Sequence, residues 1–130
     1  TGLCSYLLGA RTPEDLARSP MLGAIFETHV LGQIARHFAN QGRRREMYFY
    51  SDHHGREVDF LIPSAGRFAL VECKWSESPG LAHRGFMELE SLVGADRIIS
   101  QTIVTPERGS RRASERVTIA DSVGLEFLGN

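Results

Sequence analysis

The sequence predicts an α/β domain in which helices pack against one mixed β-sheet. Three observations lead to this prediction: a long stretch with apolar residues at three- and four-residue steps, then three short segments of alternating character, then a second helical pattern followed by an apolar strand. Helices and strands in this order are typical of an α/β sandwich. The 130 residues fit one domain, spanning 1–130, with a single core.

Helical signals dominate the chain up to residue 40. Residues 3–8 are apolar and predict a short, packed helix. Thr12 and Pro13 have the residue types of an N-cap and a first helical position, so a helix is expected from there to about Arg18. The longest helix is predicted over residues 20–40, because apolar residues recur along one face. The residues of that face are Leu22, Ile25, Phe26, Val30, Ile34 and Phe38.

The period then changes to two, which predicts strands. Residues 47–52, 57–62 and 68–75 are expected to form three strands, with turns at residues 53–55 and 64–66. Because both turns are short, the three strands form an antiparallel meander.

Beyond the meander the sequence predicts a helix over residues 81–93 and a further strand over residues 97–104. Residues 106–116 are polar and charged, which indicates an exposed loop. Two more short strands are expected, at residues 117–119 and 125–128.

Charge and composition limit the classes of partner. The formal net charge is −1, so no global basic field favours nucleic acid, and DNA contact has to come from local patches. Arg43, Arg44 and Arg45 form one basic cluster, which fits either solvated surface charge or phosphate contact. No apolar run reaches the length of about 18 residues that a membrane span needs, and no signal peptide is present.

The cysteines and the chain start suggest the setting of the domain. Cys4 and Cys73 lie far apart and match neither a disulfide framework nor a zinc pattern, so a cytoplasmic protein is expected. The chain starts at Thr1 without Met and runs directly into apolar residues, which suggests a fragment of a longer protein.

Charged residues inside the predicted strands are the strongest functional signal. Strict alternation places Asp59 on the face opposite Val58 and Phe60, and it places Glu72 and Lys74 on one face of the next strand. If the hairpin is symmetric about its turn, Asp59 lies near Glu72. Two adjacent carboxylates repel unless a cation lies between them, and oxygen ligands suit Mg²⁺ or Mn²⁺. Lys74 can then position a water molecule or stabilise charge on a phosphate.

These residues resemble a known family. Asp59 followed by Glu72-Cys73-Lys74 resembles the signature of the PD-(D/E)XK nuclease superfamily, although Val58 stands where that superfamily often has Pro. Residues 23–30, 57–60 and 71–75, in this order, also resemble the C-terminal domain of uncharacterised function found behind AAA-type ATPase modules in bacteria and archaea.

The resemblance implies a restriction-endonuclease-like core and a set of roles. Asp59 and Glu72 would bind the metal together with the backbone carbonyl of Cys73, and Lys74 would be the catalytic lysine. Glu27, on the first core helix, would hold a second metal or a water molecule. ATP would be used only by the ATPase module in the full-length protein.

Two functions from different classes follow. The first is a Mg²⁺- or Mn²⁺-dependent endonuclease or exonuclease acting on DNA. The second is an inactive module that binds nucleic acid or a protein and regulates the ATPase, in which Asp59, Glu72 and Lys74 form a structural ion-pair group. A weaker third interpretation is a homo-oligomer formed through an edge strand near the C-terminus. His53 and His54 are not expected to bind metal, and Trp75 is expected to pack in the core or on the sheet rather than stack on a base.

Overall fold

The computed structural model describes residues 2–44, 46–76, 78–80, 83–125 and 128. These residues form four α-helices and six β-strands. The helices are α1 (Gly2–Leu7), α2 (Pro13–Ala17), α3 (Leu22–Asn40) and α4 (Arg84–Val93). The strands are β1 (Tyr48–Ser51), β2 (Glu57–Ser64), β3 (Arg67–Cys73), β4 (Ile98–Thr105), β5 (Arg111–Arg112) and β6 (Val117–Asp121). None of the helices in the described part of the chain has the length and apolar character needed to span a bilayer.

One mixed sheet in the order β1-β2-β3-β4-β6-β5 organises the domain. The predicted meander is confirmed, because β1, β2 and β3 pair antiparallel in sequence order. β4 joins β3 in parallel, β6 joins β4 in parallel, and β5 is antiparallel to β6. The expected α/β class with one mixed sheet is therefore confirmed.

The C-terminal part of the sheet corrects one prediction. Residues 106–116 were predicted as a loop, but Arg111 and Arg112 form β5, because Thr118 and Ile119 of β6 offer them an edge to pair with. Charged residues gave no alternation from which this strand could be predicted. The predicted strand at 125–128 and the predicted helix start at residue 81 involve positions outside the described residues, and α4 begins at Arg84.

The turn between β2 and β3 sets the register of their pairing. Ala65 and Gly66 have φ angles of 50° and 77°, the left-handed conformation that two-residue hairpins need to match strand twist. The register runs from Ser64 opposite Arg67 to Phe60 opposite Val71. It is symmetric about the turn, as predicted.

Each face of the sheet is covered by one of the longer helices. On one face α3 contributes Phe26, Val30, Ile34 and Phe38, the periodic residues that predicted this helix. On the other face α4 packs Phe86 against a second cluster of strand residues. The sheet is therefore the middle layer between two helices.

Helix α1 departs from the prediction that it packs. Leu3, Tyr6 and Leu7 are more than two thirds exposed, so that prediction was wrong for the described residues. An apolar pattern predicts that a surface needs covering, but it does not identify what covers it. In α2 the N-terminal signal was correct, since Thr12 and Asp15 form a reciprocal capping box.

A β-bulge interrupts the alternation that was predicted along β2. The pairing of β1 with β2 changes register between Tyr48 and Tyr50. Val58 consequently packs in the cluster on the α4 face, whereas Phe60 packs in the cluster on the α3 face. The prediction that Val58 and Phe60 share a face was wrong, because an extra residue in one strand changes which way the following side chains point. Asp59 lies at this interruption.

Helix α4 approaches β2 so closely that only glycine fits at position 85. A Cβ atom on Gly85 would lie 1.9 Å from the carbonyl oxygen of Glu57 and 3.0 Å from a methyl group of Val58. Since Glu57 and Val58 directly precede Asp59, this contact also fixes the backbone that carries Asp59.

We expect Gly85→Ala to lower the free energy of unfolding by about 1–3 kcal/mol, because the added methyl group must push α4 away from β2. Gly23→Ala is the matched control. Nothing lies within 4 Å of a Cβ atom at Gly23 in α3, so alanine should leave stability unchanged or raise it by up to about 1 kcal/mol. Urea denaturation of both variants measures the difference, and equal stability would contradict the close contact.

Candidate functional site

Four charged residues meet where the meander adjoins α3. Asp59 lies near the start of β2, Glu72 is the penultimate residue of β3, and Lys74 follows β3 directly. Glu27 comes from the second turn of α3. The hairpin register and the packing of α3 on the sheet thus bring together residues that are far apart in sequence.

The carboxylate of Asp59 is held by the neighbouring strand. Its Oδ2 atom accepts a hydrogen bond of 2.7 Å from the backbone N–H of Cys73. This bond links β2 to the segment that carries Glu72 and Lys74. A charge-assisted hydrogen bond of this kind fixes the position of the carboxylate relative to that segment.

Glu72 is the most buried member of the group. Its side chain is paired with Lys74, whose Nζ lies 2.7 Å from Oε1. Only 6% of Glu72 is exposed, and its second oxygen, Oε2, is buried without a hydrogen-bond partner among the described residues. The backbone N–H of Lys74 donates to the carbonyl of Val104, which fixes the segment against β4. Glu72 therefore keeps one unsatisfied oxygen inside the site.

The acidic side chains raise one another's affinity for protons. The pKa of Asp59 is raised to about 6. Burial is the largest cause, and the charges of Glu72 and Glu27 also raise this pKa, whereas the hydrogen bond from the Cys73 N–H and the charge of Lys74 lower it. Burial also raises the pKa of Glu27, with further contributions from Glu72 and from Glu57 at the start of β2. Several carboxylates therefore lie close to one another, and the charge of Lys74 does not compensate for all of them.

Lys74 remains a cation in this environment. Burial alone would lower its pKa, but the hydrogen bond to Glu72 and the charges of Glu72 and Asp59 outweigh burial and raise it. The Lys74 side chain is nearly half exposed, so its ammonium group lies between the buried carboxylate and solvent.

These residues fit a divalent cation held by two carboxylates and one backbone carbonyl. In the described part of the chain, no three His, Cys, Asp or Glu side chains form a group able to hold a metal ion. The set implied by the resemblance is different, because it combines Asp59 and Glu72 with the backbone carbonyl of Cys73. The unpartnered Oε2 of Glu72 and the raised pKa of Asp59 both fit a cation that would satisfy an oxygen and reduce repulsion.

The described residues of the basic cluster, Arg43 and Arg44, are not part of this group. Arg43 follows the C-terminal end of α3, and at 1.5 Å per residue that end, at Asn40, lies about 20 Å along the helix from Glu27. Its guanidinium donates to Gln41, and Arg44 is exposed. Arg45 lies outside the described residues.

Sequence reasoning missed the surroundings of Trp75. Strand β3 ends at Cys73, so Trp75 leaves the sheet, and half of its surface is exposed. It contacts Phe26 of α3 at right angles, with ring centroids 5.2 Å apart. Trp75 therefore packs on a core residue, as one part of the prediction has it, but it does not lie on the sheet because the strand ended two residues earlier than predicted. Glu57 was also missed as a source of charge near Glu27.

Comparison with known proteins gives one match. A family model described as "Domain of unknown function (DUF4143)" matches residues 22–122, more than three quarters of the chain. The matched range includes all four charged residues and Trp75. Neither a search of curated proteins nor a search of solved structures found a match.

The raised pKa of Asp59 predicts how the free energy of unfolding of wild type and of Asp59→Asn will differ with pH. In metal-free buffer, the folded state holds the Asp59 proton more tightly than the unfolded state does. Protonation of Asp59 therefore stabilises the fold below about pH 4, and this contribution is lost as pH rises through about 6. We expect Asp59→Asn to gain about 1–2 kcal/mol over wild type between pH 4 and pH 7, after allowance for solvent screening.

Denaturation curves in chelator at a series of pH values measure this difference. Asp96→Asn, on the exposed turn after α4, controls for loss of a carboxylate. If the free energies of unfolding of Asp59→Asn and wild type changed with pH in parallel, the raised pKa of Asp59 would be contradicted.

Proposed function

The chain belongs to the DUF4143 family, and we propose that it is a PD-(D/E)XK nuclease-like domain that hydrolyses DNA phosphodiesters with Mg²⁺ or Mn²⁺. Three observations support this: a hydrogen bond joins Asp59 to the segment that carries Glu72 and Lys74, Glu72 and Lys74 form an ion pair, and Oε2 of Glu72 is buried without a partner among the described residues. A purely structural ion pair would leave that oxygen unsatisfied at a cost of about 1–3 kcal/mol.

The proposed ligand set uses the residues that the hairpin brings together. Asp59 and Glu72 would hold the cation with the backbone carbonyl of Cys73, and Glu27 would hold a water molecule or a second cation. A bound divalent cation supplies a more acidic water molecule and polarises the phosphodiester. The N–H of Cys73 keeps Asp59 oriented, which leaves its other oxygen, Oδ1, for binding.

Lys74 would act on the phosphate. Its ammonium group is charged and partly exposed, so it can contact a phosphate oxygen and stabilise the charge that develops there. Glu27, whose pKa is raised, can accept a proton from the attacking water. The water oxygen bonds to phosphorus as the P–O ester bond breaks. The products are a phosphate monoester and an alcohol, and the proton that water loses ends on the leaving oxygen.

The wider setting is also part of the proposal. The domain would be cytoplasmic and would be joined to an AAA-type ATPase module, which alone would use ATP. That module would move or remodel the DNA that this domain cleaves.

A second candidate is a catalytically inactive module that binds nucleic acid or a protein partner and regulates the ATPase. The observation that favours it is the ion pair itself, because Lys74 already neutralises one oxygen of Glu72. Metal binding separates the two candidates.

We expect Mn²⁺ to bind the protein saturably at neutral pH, because a cation relieves the repulsion between Asp59 and Glu72. Asp59→Asn and Glu72→Gln, which keep the shapes of the side chains, should each weaken binding at least about tenfold. Isothermal titration calorimetry measures this.

Glu115→Gln is the matched control, since it removes an exposed carboxylate away from the site. Wild type that shows no Mn²⁺ binding at millimolar concentration would rule out the catalytic proposal and leave the regulatory module.

Lys74 gives a second test that separates binding from chemistry. Lys74→Met should reduce hydrolysis of single-stranded and plasmid DNA by about 100-fold or more, because the phosphate loses its cation. The same change should keep or strengthen Mn²⁺ binding, because the ammonium group no longer competes for Glu72. Unchanged hydrolysis, followed by gel electrophoresis of the products, would contradict the assigned role.

A further inference from the structure

A cavity of about 400 Å³ lies beside Trp75, next to the carboxylate site. One wall comes from α3 and includes Ile25, Phe26 and His29. The opposite wall includes Trp75 and Pro106, and the volume is within the range of small-molecule sites in proteins. The lining is mostly apolar, with an imidazole on the α3 side.

The position of this cavity in the fold is independent support for a ligand. Strands β3, β4 and β6 run parallel, and the residues just beyond their carboxyl ends, Trp75, Pro106 and Ser122, all line the cavity. Open α/β sheets bind ligands outside the carboxyl ends of parallel strands. The meander supplies the charged residues, and the parallel half of the sheet supplies this cavity.

Trp75 offers a flat surface that is already held in place. Its ring is fixed by the perpendicular contact with Phe26, yet half of the side chain is exposed. Trp75 and Pro106 also line a second cavity of about 620 Å³ that reaches Glu107. The indole therefore lies between two cavities. Aromatic side chains that stack the bases of a single nucleic-acid strand are placed in a similar way.

Polar groups on the far side of the first cavity can contact the edge of a planar ligand. The Nε2 atom of His29 lies 3.3 Å from the hydroxyl of Ser122. Imidazole and hydroxyl groups both donate and accept hydrogen bonds, which suits the edge of a nucleobase.

The charges of the chain disfavour a ligand that is held mainly through its phosphates. The net charge is −1, and three of the arginines in or near β5 are engaged within the protein. Arg111 pairs with Glu107, Arg112 donates to backbone carbonyls, and Arg116 pairs with Glu90. Duplex DNA presents phosphates on both strands and needs a broad basic surface. Stacking of bases on an aromatic side chain does not need such a surface.

We infer that the Trp75 cavity binds an unpaired nucleobase, so that the substrate of the neighbouring site is single-stranded DNA rather than intact duplex. The inference rests on the proposed function, because Lys74 precedes Trp75 directly and would contact a phosphate of the strand whose base enters the cavity. Glu27 likewise follows Phe26 of the cavity wall, so α3 and the segment after β3 each carry residues of both sites.

Trp75 is the only tryptophan of the chain, so its fluorescence reports this cavity directly. The test is a titration of the protein, in chelator, with an oligothymidylate of about twelve nucleotides, a length within the site sizes of single-strand binders. We expect saturable quenching. A duplex of equal length should bind at least tenfold more weakly, as measured by anisotropy of a labelled strand.

Variants then assign the binding to the ring. Trp75→Leu should weaken oligothymidylate binding about 5- to 100-fold, the equivalent of losing one stacked base, whereas Trp75→Phe should keep most of the affinity. Phe49→Leu, on the edge strand β1, is the control, because Phe49 is 77% exposed and lies outside both cavities. Both positions are exposed, and circular dichroism checks the fold of the three variants.

The outcomes distinguish this inference from the proposed function, because chelator removes any dependence on metal. Equal affinity for duplex and single strand, or full affinity in Trp75→Leu, would overturn the base pocket even if Mn²⁺ binds. Intact oligothymidylate binding in a protein that does not bind Mn²⁺ would overturn the hydrolysis and support the pocket.

Discussion

The rest of the site depends on the burial of Glu72 in a central strand. A carboxylate with 6% exposure loses most of its hydration, and among the residues with described positions only Lys74 compensates it, at one of its two oxygens. The pKa values of Asp59 and Glu27 are raised mainly by their own burial, and the charge of Glu72 adds to both shifts. In a buried group of this kind a single charge changes the energy of every member, so the proposed metal binding would be coupled to pH and to Lys74.

The fold supports this arrangement with two tight backbone constraints. Left-handed residues at the β2–β3 turn set the hairpin register, and Gly85 lets α4 contact the β2 backbone just before Asp59. The Cys73 N–H then orients the Asp59 carboxylate itself. Each constraint acts on the backbone, so the position of the carboxylates depends little on the exposed residues around them.

Much of this fold follows from local patterns in the sequence. The α3 periodicity, the Thr12 cap and the Ser64–Gly66 turn each act over a few residues, and each of them was predicted correctly. The failures are tertiary in origin. The bulge at Asp59, the pairing of Arg111 with β6 and the exposed face of α1 depend on what the neighbouring segment offers, which no local period encodes. The residues of the signature could be identified from the sequence because charged side chains are unusual inside a strand. The exposure of Trp75 could not, because it depends on where β3 ends.

The hairpin has a consequence for how the site forms during folding. Asp59 and Glu72 belong to two strands joined by a two-residue turn, and such hairpins form in about 1–10 μs. The Trp75 cavity instead requires the parallel pairing of β3, β4 and β6, whose ends at Cys73 and Asp121 are far apart in the chain. Closing long loops slows such pairing. The chain therefore brings its two carboxylates together in a fast local step and acquires the neighbouring cavity in a slower, non-local one.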